Sequence, residues 1–347
     1  MRVQRLSTVD GFIAFDIDGA EVSAGGTRLA PDVTEAEVVL LARAMTYKHA
    51  VLGRRMGGAK AGVRASAGER AGAMRRYCEE IRPLIEARSF LTGADLGTSE
   101  ADFAPLRGDT GVTHPVLQLV DGVVFEDVVT GFGVAVAAEA AVGSLEGRSV
   151  AVEGFGKVGG AVAREVVQRG GSVVAVSTIA GSVGDPRGLD VDALWQARAE
   201  HGDDLVHHLG LPVATPAALF DVAADVLVPG ARTGAVDEAR ARTLGAAAVV
   251  PAANVPYTRA GLDVLRARGI AAHADFVCNT GGVLGYVSPA TATPAEVLAG
   301  VESRIGDLVR TAADHPGGPF AGACEMAERF LATWVEPDAF PSGPPLA

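Results

Sequence analysis

Cysteine is nearly absent from this chain of 347 residues: it occurs only as Cys78, Cys278 and Cys324, an odd number without paired metal-ligand spacing. That excludes a disulfide framework and a cysteine-based zinc site, so no metal is expected, and it fits a reducing, cytoplasmic compartment. No run of about 18 uncharged apolar residues occurs, and the first residues, MRVQRLSTVDGFIAFDIDG, lack the apolar core of a secretory signal. A soluble, unexported protein is expected. Positive charge is also scarce. The formal net charge is −12, and the basic residues are dispersed; even Arg64 to Arg76 reads as a solvated helix face. Nucleic acid and anionic membrane are therefore poor candidates for the main partner.

Apolar residues are plentiful. Hydrophobic residues make up 48% of the chain and mean hydropathy is positive, over a length sufficient for two domains, so the protein is globular. No internal repeat is evident.

Two lysines stand out in MTYKHAVLGRRMGGAKAGV, Lys48 and Lys60. Gly57, Gly58 and Gly62 permit close approach of backbone to a ligand, and the small neighbours leave Lys60 little polar company. A desolvated lysine titrates nearer neutrality and becomes a usable base; the competing reading is a surface lysine on a glycine-rich turn.

Upstream, GFIAFDIDGAEV alternates around a DG turn signal and predicts an edge hairpin. Thr34 and Glu37 have capping-box spacing, and Val38, Leu41, Ala42 and Met45 continue a helix that carries Lys48 near its end. A second helix is expected over 67–87. In FLTGADLGTS, Asp95 sits among small residues much as Lys60 does, either as a functional acid or as a helix cap. A helix over 126–142, rich in small residues, follows, and the domain boundary is placed just before this connecting helix. The substrate-binding and assembly domain is expected over 1–129, completed by about 318–347, with a dinucleotide-binding domain over 130–317.

From Arg148 the chain alternates strands and helices as a parallel α/β sheet does. SVAVEGFGKVGGAVAREVVQRGGSVVAVST places Gly154, Gly156 and Gly159 in GxGxxG between a strand and a helix from about Lys157 to Arg169. This is the dinucleotide fingerprint in its confirming context, with Lys157 and Val158 opening the helix that receives the pyrophosphate. The acid expected at the end of the second strand is missing. Ser177 and Thr178 stand there, which leaves NAD or NADP open. Further strands are expected near 226–228, 248–250 and 274–277, and their loops bring Asn254 and Asn279 to the cofactor crevice as contacts or as turn formers. Helices over 294–314 and 320–333 precede a Pro-rich tail expected to be mobile from Pro337.

The segments GGTRLAPDVT, MTYK, MGGAK, TGADLGTS, VTGFGV, GFGKVG, PAANVPYT and CNTGGV run in this order through nearly the whole chain. Together they resemble the glutamate/leucine/phenylalanine/valine dehydrogenase family. The resemblance implies an N-terminal α/β substrate domain, a Rossmann-type doubly wound nucleotide domain, C-terminal helices returning to the first domain, and an active site in the cleft. It implies that Lys48 holds the substrate α-carboxylate, that Lys60 is the catalytic lysine, and that Asp95 exchanges protons with the substrate nitrogen. Thr130 and Asn254 would lie beside the nicotinamide and its ribose, and Asn279 near the reacting carbon. The implied chemistry is NAD(P)-dependent deamination of an amino acid to its 2-oxo acid and ammonium, or the reverse, in a homo-oligomer.

Glutamate enzymes of that family carry a lysine before the GG of the first motif and a serine three residues after the GGV valine, here Val283. This chain has Ala24 and Tyr286, so glutamate is disfavoured, because burying a second carboxylate without partners costs several kcal/mol. Small Ala24 and Gly93 suit a large or aromatic side chain, nearer the leucine and phenylalanine branch, while the Tyr286 hydroxyl suits a polar one. Departures from the family pattern are His49 for the usual asparagine, Lys157 for asparagine, and a short segment before GGTR that leaves higher-order assembly open. Alternatives are a glutamate dehydrogenase with a rebuilt side-chain site and a catalytically silent nucleotide sensor. Joint retention of Lys48, Lys60 and Asp95 argues against the sensor.

Overall fold

The computed structural model describes residues 1–106, 114–120, 122–339 and 343–347. Contacts divide the chain into a first unit of Met1–Val112 with Cys324–Pro345, and a second of Thr113–Ala323 with Leu346–Ala347. The boundary expected at 129/130 falls inside a helix, and the C-terminal return begins at Cys324.

The first unit contains β1 (Arg2–Arg5), β2 (Gly11–Phe15), β3 (Ser23–Ala24), β4 (Thr27–Leu29), α1 (Glu35–Val51), β5 (Gly57–Val63), α2 (Arg70–Glu86) and β6 (Phe90–Leu91). Its sheet runs β1-β2-β5-β3-β6, with β4 also on β5. The strand β2 is buried at every residue because both faces are covered. Phe12 and Ala14 pack with Val38 and Ala42 of α1. Ile13 and Phe15 pack with Met74, Tyr77 and Ile81 of α2. This corrects the expected edge hairpin: β2 is internal, its antiparallel neighbours are β1 and β5, and β3, beyond the Asp18–Gly19 turn, pairs parallel with β5. Thr34 caps α1 by accepting from the Glu37 amide at 3.2 Å, but the Glu37 carboxylate turns instead to Arg28.

The second unit contains β7 (Leu119–Val120), β8 (Val123–Val124), α3 (Phe125–Val142), β9 (Ser149–Glu153), α4 (Lys157–Gln168), β10 (Ser172–Thr178), β11 (Gly181–Gly184), α5 (Val191–His201) and β12 (Ala224–Pro229). There follow α6 (Glu238–Thr243), β13 (Ala246–Val249), α7 (Arg259–Ala267), β14 (Ala271–Ala272), α8 (Asp275–Cys278), α9 (Gly281–Val287), α10 (Pro294–Ala313) and α11 (Pro319–Leu331), the last divided between the units at Cys324. The main sheet has the order β11-β10-β9-β12-β13-β14. All its pairings are parallel except that of β10 with β11, an antiparallel edge strand that the sequence reading missed. The strand expected over 274–277 is helical: β14 ends at Ala272, and Asp275 opens α8.

Of the tail expected to be mobile, residues 340–342 lie outside the described residues. Pro345 is buried and the Ala347 amide donates to the Tyr257 carbonyl at 2.9 Å, so the chain's last residues are packed. No helix among the described residues is long and apolar enough to cross a membrane.

Candidate active site

In the first unit, a glycine draws the lysine-bearing elements together. A Cβ at Gly58 would lie 2.0 Å from the Ala42 carbonyl oxygen, so only glycine lets β5 press against α1, and the Gly58 amide donates to Thr46 Oγ1 at 2.9 Å. Lys48 ends up in the last turn of α1 and Lys60 in the middle of β5, both buried. Lys60 is not the lysine without polar company that its local sequence suggested. Its Nζ lies 3.0 Å from Asp95 Oδ2, a partner 35 positions away in sequence by difference of those numbers.

Asp95 does not cap a helix. Its amide donates to Thr98 Oγ1 at 2.8 Å, and that hydroxyl donates to the Thr27 carbonyl at 2.8 Å, which pins the turn to β4. Gly97 closes the turn at φ 79°, where a Cβ would also strike the Leu29 carbonyl. The carboxylate is shared: Arg28 Nε donates to the same Oδ2 at 3.1 Å. Both cations therefore sit on one oxygen, and Oδ1 takes no partner among the described residues. Burial works to raise the Asp95 carboxyl, but the charges of Lys60 and Arg28, with their hydrogen bonds, outweigh it and bring the group from 3.8 to about 2.

Arg28, within GGTRLAPDVT, is a member of the cluster that the sequence does not single out. The available signal was its place between Thr27 and Leu29 on a short strand, where a half-buried guanidinium requires carboxylate partners. Ala24 lies in register with Gly58 on one side and Leu91 on the other, and the Gly93 carbonyl accepts from the Thr27 amide at 3.0 Å. Ala24 thus lies on the strand beside β5, which carries Lys60, and Gly93 lies two residues before Asp95.

In the second unit the glycine fingerprint forms the turn from β9 into α4. Gly154 has φ 84°, and its amide donates to Ser177 Oγ at 3.3 Å. A Cβ at Gly159 would lie 2.0 Å from the Gly154 carbonyl oxygen, whereas one at Gly156 would meet nothing within 4 Å. The third glycine is thus a packing requirement, and the second borders open space above a helix of 12 residues. Glu153 ties the two strand ends at the switch point by accepting from the Gly230 and Ala231 amides at 3.2 Å each. Burial pushes its carboxyl up, against these bonds.

The residues from later loops meet here. Asn279 Nδ2 donates to Asn254 Oδ1 at 3.0 Å and to the Ala252 carbonyl at 3.0 Å, while its own Oδ1 is buried without a partner among the described residues. Thr130 Oγ1 donates to the Glu126 carbonyl at 2.9 Å and would be 3.0 Å from a Cβ at Gly282. The open cradle at Gly156 and the orphaned Asn279 oxygen fit a dinucleotide, which brings phosphate oxygens for a helix N-terminus and N–H and O–H donors for an acceptor. Thr178 fits less well. Its hydroxyl is turned inward, donating to the Asp203 carbonyl at 2.6 Å. Lys157 points into solvent, 3.9 Å from Asp127, and Val158 is half-buried beside it. Val283 is half-buried on α9, and Tyr286 Oη donates to Glu126 Oε2 at 2.9 Å.

Comparison with known proteins agrees with this geometry. Residues 1–111 match the family description "Glu/Leu/Phe/Val dehydrogenase, dimerisation domain", and residues 122–288 match "Glutamate/Leucine/Phenylalanine/Valine dehydrogenase". Glutamate dehydrogenase of Thermotoga maritima is 37% identical over 279 residues, covering 75% of this chain and 67% of that one. The NADP-specific glutamate dehydrogenase of Saccharolobus shibatae is 28% identical over 81% of this chain and 70% of its own. Among solved structures, the hetero-hexameric glutamate dehydrogenase of Thermus thermophilus superposes with a TM-score of 0.81 at 30% identity, covering 97% of this chain and 90% of that one. The chain belongs to the glutamate/leucine/phenylalanine/valine dehydrogenase family and is an NAD(P)-dependent amino-acid dehydrogenase, an oxidoreductase acting on CH–NH2 groups.

Proposed function

We propose that the chain oxidatively deaminates an L-amino acid with an apolar or aromatic side chain, glutamate being disfavoured, and runs the reverse reductive amination of the matching 2-oxo acid. The observation that carries the catalytic assignment is the Lys60–Asp95–Arg28 cluster, a buried lysine in contact with a half-buried acid. A structural ion pair needs no carboxylate oxygen held open; a proton-transfer site does.

When bound, the nicotinamide supplies the hydride acceptor. The chain's own residues orient the substrate and move protons. Lys48 takes the α-carboxylate and fixes Cα. Asp95, ionised and anchored through Oδ2, offers Oδ1 to the substrate nitrogen and takes its proton. Lys60 directs water to the iminium carbon and relays the proton released. Asn279, Asn254 and Thr130 hold the ribose and nicotinamide edge, and Gly154, Gly156 and Gly159 receive the pyrophosphate.

Substrate choice rests on the side-chain positions. The named relatives are glutamate dehydrogenases, yet this chain has Ala24 where a lysine would meet a side-chain carboxylate, and the Tyr286 hydroxyl already donates to Glu126. On this reading a glutamate γ-carboxylate would lack the lysine that meets it in glutamate enzymes of the family. By the same reading residues 1–129 with about 318–347 serve substrate binding and assembly, the protein is a homo-oligomer, and it works in the cytoplasm.

The test is a spectrophotometric matrix of the twenty L-amino acids with NAD and NADP, and of 2-oxo acids with ammonium and the reduced cofactors. Turnover of an apolar or aromatic subset is expected, and a profile dominated by glutamate overturns the substrate assignment. Lys60→Ala should lose about 10² to 10⁴ in kcat while nucleotide still binds; activity within a few fold of wild type removes Lys60 from the mechanism.

A further inference from the structure

The strand β10 ends at Thr178 without the acid that a ribose diol would use, yet an acid is held against that end from another element. Thr178 Oγ1 donates to the Asp203 carbonyl at 2.6 Å and accepts from the Ala180 amide at 3.1 Å. Beyond it Ile179 is 85% exposed, so the strand end opens to solvent. The same end is tied to the glycine fingerprint, because the Phe155 amide donates to the Ser177 carbonyl at 2.7 Å.

Asp203 reaches this place because α5 stops at Gly202, whose φ of 59° turns the chain out of the helix, and because the following Leu205 and Val206 are fully buried and fix the segment. Its carboxylate is aimed by Arg198. One guanidinium nitrogen donates both to the Phe155 carbonyl at 2.6 Å and to Asp203 Oδ1 at 3.2 Å. The carboxylate is therefore joined through a single nitrogen to the fingerprint turn. The Asp203 side chain is 58% exposed, and Oδ2 takes no partner among the described residues.

The chemistry of this arrangement discriminates between two nucleotides. A ribose 2′-hydroxyl is a donor that a carboxylate accepts strongly, whereas a 2′-phosphate brings charged oxygens that a carboxylate repels. Arg198 does not reverse this preference, since a phosphate would gain the guanidinium only by displacing Asp203 from it.

Resting on the reading above, in which the fingerprint receives the pyrophosphate, we infer that Asp203 is the ribose acid of this chain, supplied from the turn after α5 instead of from the end of β10, and that it selects NAD over NADP. It lies 25 positions beyond Thr178, outside the place where an acid of this kind ends the second strand.

Fluorescence titration of the full chain with NADH and NADPH reads Kd without turnover. Wild type should bind NADH more tightly by about tenfold or more. Asp203→Asn should raise the Kd for NADH by about tenfold while NADPH binds as well as before or better, a result that misfolding cannot mimic. Asp203→Arg should invert the preference. Displacement of NADH by AMP and by adenosine 2′,5′-bisphosphate should follow the same order, which places the effect at the ribose. NADPH bound by wild type as tightly as NADH or more so, or a ratio of the two unmoved by both substitutions, overturns the inference and leaves the fingerprint reading standing. Failure of wild type to bind either nucleotide brings down that reading and this inference together.

Discussion

Lysine is rare in this chain. Lys and Arg together number 30, but lysine occurs only at 48, 60 and 157, and arginine serves everywhere else. Where a cation need only be a cation, arginine has sufficed; a lysine can also give up its proton. Its placement was legible from the motif, but its partner was not, since Asp95 and Arg28 arrive from other strands through tertiary folding. Arg28 in turn is predicted to be a positioning residue for Asp95. Removing its charge as Arg28→Met takes away one of the two forces that hold the carboxyl below its ordinary range, leaving burial less opposed. The acid limb of the pH–kcat profile should move upward, with Arg28→Lys closer to wild type; an unchanged limb would discard the idea. The sign for stability follows. Because the folded value lies below the unfolded one, Asp95 contributes stability above about pH 4 that is lost as the pH falls toward about 2.

At the scale of elements, the apolar patterning of the sequence predicted α1, α2, α3, α4, α10 and α11 closely, helped in α1 by the Thr34 cap. Two segments of the second unit were misread. Residues 274–277 are apolar enough for a buried strand, but the Asp275 carboxylate accepts from the Val255 amide at 2.9 Å and anchors that short segment as a helix. The edge strand β11 reads as a glycine-rich loop and exists only because β10 pairs with it. The glycine fingerprint was legible, and the structure separates its functions. Gly159→Ala drives a methyl into the Gly154 carbonyl and should destabilise the second unit by about 1–3 kcal/mol. Gly156→Ala meets no atom and its φ of −94° suits alanine, so the melting temperature should hold while the Kd for reduced nucleotide rises. Wild-type affinity in Gly156→Ala would show that the pyrophosphate does not approach there.

For the molecule as a whole, each unit contains a histidine that folding keeps neutral. In the first, His49 is 1% exposed with neither ring nitrogen hydrogen-bonded among the described residues. Burial, then the charge of Arg54, lowers it to about 3 against a weak opposing pull from the Ala24 backbone. In the second, His273 is 3% exposed with Nε2 unpartnered among the described residues, and burial lowers it to about 4. The sequence showed His49 only as a departure from asparagine; what makes it consequential is the packing of the end of α1. Above pH 6.5 both states of each histidine are neutral and the shift costs nothing. Below it the unfolded chain takes up a proton that the folded chain refuses, so stability falls by about 1.4 kcal/mol per pH unit for each histidine, until its folded value is reached. Acid sensitivity should therefore begin near pH 6, well before the carboxylates titrate. Calorimetry at about pH 7.5 and about pH 5 should show the midpoint dropping by several degrees in wild type. His49→Asn and His273→Leu should each flatten part of that dependence, together most of it, whether the units melt jointly or apart. Equal midpoints at the two pH values in wild type would mean that these histidines find proton-accepting partners in the folded protein, and the assignment of buried, neutral rings would fall.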